Sequence, residues 1–186
     1  MLLGFLPLAW LIASALGWWQ WHLNADPIAQ VTDQLGLWAL RLLLITLCIT
    51  PLRHATGWIR LTLLRRPLGL LAFLYVCLHL TLYVAIDQGF NTAILWDDIV
   101  KRRWITMGLM AFLLLLPLAL TSTRAAMRRL GRRWQTVHYA IYPAVLAACT
   151  HYYWQVKRDI RPPLVYATVF ALLMLLRWVR YRQKAR

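Results

Sequence analysis

Apolar residues run almost without interruption over 2–19, 35–52, 67–86, 104–120, 137–154 and 163–179, and polar residues are confined to short links between these runs. Each run approaches the roughly 20 helical residues needed to cross a hydrocarbon core of about 30 Å. The pattern predicts an all-α, polytopic membrane bundle of six transmembrane helices, a single domain over 1–186 with little chain left for a soluble unit. The first run could be mistaken for a signal peptide. It lacks a basic leading region and reaches bulky tryptophans instead of a small-residue cleavage site, so the expectation is a retained first helix.

Composition agrees: 61% of the 186 residues are hydrophobic and 15% charged, with no glutamate and six aspartates, where a soluble domain carries about 25% charge. The formal charge of +15 invites a nucleic-acid reading, but its distribution argues for membrane topology. Basic residues collect at alternate links: Arg53, Arg60, Arg65 and Arg66; then Arg124, Arg128, Arg129, Arg132 and Arg133; then the tail from Arg177 to Arg186. The opposite links hold every acid, Asp26, Asp33, Asp87, Asp97, Asp98 and Asp159, together with a few bases. Positive residues stay inside, which places both termini in the cytoplasm and leaves the excess charge to attract anionic membrane lipid, with no nucleic-acid partner.

Cys48, Cys77 and Cys149 lie within apolar runs and lack CxxC spacing, so they read as small hydrophobes. Of eleven tryptophans, Trp18, Trp19, Trp21, Trp96, Trp104, Trp134 and Trp154 fall near the run ends, where an aromatic belt anchors a bundle. No internal repeat is expected.

Histidine is the residue that carries chemistry here. His22 and His54 stand at or beyond run ends, whereas His79, His138 and His151 need an account. A buried neutral imidazole without a partner is costly, and its ordinary use is a hydrogen bond to a neighbouring helix. With the topology above, His79 and His151 lie at matching depth in the outer half of two parallel helices. Two such imidazoles can clamp a macrocycle by axial ligation of its iron. Zinc wants more ligands than this pair offers, and a proton relay wants acids that the spans lack. The residues therefore point to a b-type haem protein.

His138 lies about 20 Å below His151 on an ideal helix, at a depth suited to a second haem, but about 140° away around the axis. Pro143 between them can kink the helix or shift its register. At His138's depth the third run offers arginines instead of a histidine, leaving that ligand set incomplete. Arg41, about two turns inside the second run, either snorkels to the outer interface or pairs with a haem propionate. The segment TSTR at 121–124 should close or cap a helix. The links RHATGWIRLTLLRR and RAAMRRLGRRW could cradle a flavin phosphate or dock an acidic reductase, and inside-positive charge explains them as well.

Several blocks in order carry a family likeness: ADP at 25–27, ALRLLLITLCITPLR at 39–53, RRPLGLLAFLYVCLHLTLY at 65–83, LALTSTRAAMRRLGRRWQTVHYAIYPA at 118–144 and HYYWQVK at 151–157. The chain resembles the MsrQ (YedZ) family of haem-binding membrane subunits of bacterial methionine sulfoxide reductase systems, within the ferric-reductase-like transmembrane superfamily. The resemblance implies a six-helix electron conduit in the bacterial inner membrane. Its electrons come from the quinone pool or a cytoplasmic flavin reductase and pass through one or two b-type haems to a periplasmic molybdopterin-containing methionine sulfoxide reductase, MsrP. It further implies that His79, His138 and His151 are haem-linked and that FMN is an associated cofactor. Unlike the wider superfamily, the third run has one histidine where two are usual, and no carboxy-terminal flavin and nicotinamide domain is expected. Both departures imply an external donor for an electron-transfer subunit without its own catalytic domain. The competing readings are a ferric or quinone reductase of the cytochrome b type and a non-redox transporter component.

Overall fold

A computed structural model of the protein describes residues 5–15 and 27–184. His22, Trp18, Trp19, Trp21 and the ends of the first predicted run lie outside the described residues. The rest is helical: α1 (Leu6–Ala15), α2 (Pro27–Thr56), a 3₁₀ segment (Ile59–Leu64), α3 (Arg65–Thr81) continuing into a π-helical turn (Leu82–Asp87), α4 (Thr92–Lys101), α5 (Arg103–Leu120), α6 (Arg124–Leu130), α7 (Arg132–His138), α8 (Ile141–Gln155) and α9 (Arg161–Lys184). Among the described residues, Pro27–Thr56, Ile59–Asp87, Arg103–Leu120 and Arg161–Gln183 are long and apolar enough to cross a membrane. The 15-residue α8 is shorter.

Helix α2 is the centre of the bundle. Leu35, Ala39, Leu40, Leu42, Leu43, Leu44, Leu47 and Ile49 are buried on nearly all its sides, as expected of a helix surrounded by others. It forms a hairpin with α3, and α5 forms a second hairpin with α8, while α9 packs across α2 and α8. Phe73 of α3 stacks on Phe112 of α5, with ring centres 5.9 Å apart, and joins the hairpins. Lipid is as apolar as leucine, so helices in it associate through close packing at small residues. Ala72 of α3 and Ala144 of α8 are fully buried, one in each hairpin.

The predicted fifth span is interrupted: α7 ends at His138, residues 139–140 turn, and α8 starts at Ile141. Pro143 therefore sits in the first turn of α8, where a missing N–H costs little. The Tyr139 carbonyl, which an uninterrupted helix would pair with residue 143, instead accepts from the Tyr142 N–H at 3.1 Å. Tyr139 and Ala140 keep right-handed helical dihedrals but are tightened by the Ala140 N–H to Val137 and Tyr142 N–H to Tyr139 bonds, so the phase expected of an unbroken α-helix between His138 and His151 does not apply. The TSTR segment behaves as expected. The Thr121 and Ser122 hydroxyls close α5 on the Pro117 and Leu118 carbonyls, each at 2.6 Å, and Thr123 caps α6 by accepting from the Ala126 N–H at 3.1 Å.

The link over 87–103 contains α4, capped by the Asn91 carboxamide. Its Asp98 is buried (5% exposed), accepting from the Tyr83 hydroxyl at 2.5 Å and pairing with Arg102 at 2.9 Å. A buried carboxylate needs such partners. The contact ties α4 to the π-helical turn just beyond His79.

Candidate haem-ligand site

His79 on α3 and His151 on α8 come together. Their ring centres are 6.2 Å apart and their planes are 82° to one another. The Nδ1 of His79 lies 2.7 Å from the Thr32 carbonyl oxygen on α2, and the Nδ1 of His151 lies 2.6 Å from the Trp104 carbonyl oxygen on α5. A carbonyl only accepts, so in each ring Nδ1 carries the proton and neutral Nε2 keeps its lone pair. Metal-bound histidines use the same arrangement, the second ring nitrogen donating to a carbonyl or carboxylate that fixes tautomer and orientation.

The 6.2 Å between the ring centres is of the size that two imidazoles on one ion would show. An imidazole–metal bond is about 2.0–2.1 Å and a ring nitrogen lies about 1.1 Å from its ring centre, so two axial imidazoles have centres about 6.3 Å apart. Among the described residues no group of three or more His, Cys, Asp or Glu could hold a bare metal ion. The pair suits an ion whose remaining ligands come from a macrocycle.

The two halves of the site are copies. Each Nδ1–carbonyl pair spans 47 residues of sequence. Each ring lies against a glycine four residues beyond the accepting carbonyl: His79 against Gly36, His151 against Gly108. Shifted by 72 residues, 36–44 (GLWALRLLL) matches 108–116 (GLMAFLLLL), and 72–79 (AFLYVCLH) matches 144–151 (AVLAACTH). This corrects the expectation of no internal repeat. Helices α2 and α5 run in one sense across the bundle and α3 and α8 in the other, which makes this a parallel repeat, of the kind related by an axis along the membrane normal.

His138 is elsewhere. Its Nδ1 donates to the Trp134 carbonyl at 3.0 Å, and its ring stacks on Trp134 with centres 3.8 Å apart. Arg41 is half-buried at the middle of α2, because that helix begins at Pro27, earlier than the sequence suggests. Its Nε donates to the Tyr166 hydroxyl at 2.9 Å and its guanidinium lies over Trp38 at 4.6 Å. Together with Leu6, Pro7, Trp10 and Gln34, Trp38 and Arg41 line an open cleft of about 430 Å³.

Sequence reasoning missed Arg177, counted with the basic tail. It turns inward from α9, its Nη1 donating to the Tyr142 hydroxyl at 2.6 Å and its Nη2 to the Leu47 carbonyl at 2.9 Å. An arginine followed by a tryptophan and a further basic residue reads as interfacial, and no sequence signal marked it as a brace between α2, α8 and α9.

Residues 35–149 match the family described as ferric reductase like transmembrane component. The chain is 52% identical over 168 residues to the protein-methionine-sulfoxide reductase heme-binding subunit MsrQ of Xanthomonas campestris pv. campestris, covering 86% of this chain and 77% of that one. The subunits of the same name from Xanthomonas oryzae pv. oryzae and Azospira oryzae are 51% and 48% identical, covering 86% of this chain in both cases and 77% and 70% of theirs. No solved structure matches the chain significantly. With the repeat, the paired histidines and these similarities together, the chain belongs to the MsrQ family of the ferric-reductase-like transmembrane proteins.

Proposed function

We propose that the chain holds a b-type haem between His79 and His151 in the outer half of the membrane and serves as the electron-transfer subunit of a methionine sulfoxide reductase system. The observation that carries this reading is the imidazole pair 6.2 Å apart, with both Nδ1 protons tied to backbone carbonyls. The name that its relatives share supports the system to which it belongs. The haem supplies a one-electron couple. The chain's residues present two Nε2 lone pairs from half-buried rings that the Thr32 and Trp104 carbonyls hold in place. His138, whose Nε2 is likewise left free by its Nδ1 bond, is the candidate ligand of a second haem toward the cytoplasmic face. Arg41 is the candidate cation for a propionate, held through Tyr166 and Trp38.

In this reading six helices cross the bacterial inner membrane with both termini in the cytoplasm. Electrons enter from the quinone pool or a cytoplasmic flavin reductase, with FMN as an associated cofactor, and leave to periplasmic MsrP. Cysteines introduced singly into the 53–66 link should be labelled from the cytoplasm alone, and labelling from the periplasm overturns this orientation. Protein purified from haem-replete cells should show a Soret band and, on reduction, the sharp α and β bands of low-spin bis-histidine haem. A colourless preparation rejects both this function and the alternative of a cytochrome b-type ferric or quinone reductase, leaving a non-redox transporter component.

A further inference from the structure

We propose that Gly36 and Gly108 are positioning residues for His79 and His151, each fixing the plane in which its imidazole presents Nε2; the proposal rests on the haem reading above. A Cβ built on Gly36 would lie 3.1 Å from both Nδ1 and Cε1 of His79, and one on Gly108 would lie 2.9 Å and 3.0 Å from the same atoms of His151. At Gly108 the 2.9 Å contact is one that real side chains essentially never show, and at Gly36 the 3.1 Å contacts oblige the ring to give by a few tenths of an ångström. Each glycine is also the residue whose N–H reaches, by helical geometry, the carbonyl that accepts the histidine proton, Thr32 for Gly36 and Trp104 for Gly108. The imidazole therefore lies directly over a turn of helix. A bare Cα there lets Nδ1 approach that carbonyl to 2.7 Å in one case and 2.6 Å in the other.

Glycine is a poorer helix former than alanine, so in the interior of a long helix it calls for a local reason. Gly69 of α3 supplies the contrast: a Cβ there meets nothing within 4 Å. The same device occurs once in each copy of the repeat, so one local geometry sets both rings, and the placement of the copies sets their near-perpendicular planes, 82° apart. An added methyl must push the ring away or tilt it, which stretches the Nδ1–H bond and turns the Nε2 lone pair.

The test uses the full-length, haem-loaded protein in detergent, with electron paramagnetic resonance of the oxidised form and a redox titration of the α band. Near-perpendicular axial imidazoles give a strongly anisotropic low-spin signal with a large leading g value. Gly36→Ala and Gly108→Ala should lower that g value or convert part of the haem to high spin, and should shift its midpoint potential, while Gly69→Ala leaves both readings as in the unmodified protein. Where Gly108→Ala, the tighter of the two, fails to accumulate, Gly36→Ala carries the test. Unmodified signals and potential in the alanine variants overturn the positioning role. Spectra left unchanged by His79→Leu and His151→Leu overturn the haem reading instead.

Discussion

Replacing either His79 or His151 with leucine is expected to remove the outer haem, leaving only the absorbance that the His138 site contributes. In the proposed site each imidazole would be one of two protein donors to the iron, so neither could compensate for the other. Loss of a partner that merely orients a ligand typically costs roughly 10–100-fold in metal affinity, and loss of the ligand itself must cost more. The substitution should be well tolerated by the fold. Leucine fills an apolar site, and the Thr32 and Trp104 carbonyls that lose an imidazole donor keep their helical N–H bonds, so no buried acceptor is orphaned. His138→Leu should leave the outer haem's α band in place and remove or shift a different component, because His138 stacks on Trp134 and not on the histidine pair. Haem content by pyridine haemochrome, normalised to monodisperse protein, measures all three variants. Unmodified haem content in His79→Leu or His151→Leu contradicts axial ligation by the pair.

The pairing of His79 with His151 was legible because depth in a membrane is set by hydropathy and charge, which sequence records directly. Rotation about the helix axis is not recorded in that way. The proline between His138 and His151 signalled a break, but the turn falls at 139–140, where Tyr142 replaces the donor that Pro143 lacks, and no residue type announces that. The repeat escaped notice because most of its identities are leucine and alanine, which coincide freely among membrane helices. Only Gly36 with Gly108, Cys77 with Cys149 and His79 with His151 are distinctive, and the glycines acquire meaning once the rings are seen to lie on them. Asp98 and Arg177 misled for a related reason. Both were assigned to links or tail by charge alone, whereas Tyr83 and Arg102 bury the first, and Tyr142 and the Leu47 carbonyl draw the second inward.

Haem reduced in proteoliposomes should be reoxidised when oxidised periplasmic molybdopterin-containing methionine sulfoxide reductase is added to the outer face. Beyond one partner equivalent the reaction should continue only with a methionine sulfoxide present. The reason is that the histidine pair lies near one end of the bundle, close to the ends of α3 and α8. Thr32, which accepts the His79 proton, is followed by Asp33, whose exposed carboxylate accepts from Gln155 at 2.7 Å. Gln155 in turn stands one turn, about 6 Å, beyond His151. A protein docked on this surface comes close to the pair without any substrate entering the bilayer. The neighbouring α4 carries exposed Trp96, Ile94 and Val100 beside the Asp97–Lys101 ion pair, a mixed surface of the kind that transient partners use. In the proposed orientation the donor side lies across the bundle from this face, so the same partner added only to the inner face should do nothing. Reoxidation no faster than with buffer and dissolved oxygen removes the partner assignment while leaving the ligand assignment to the histidine variants. Reoxidation by ferric chelates at a rate equal to that with the enzyme turns the reading toward a ferric reductase.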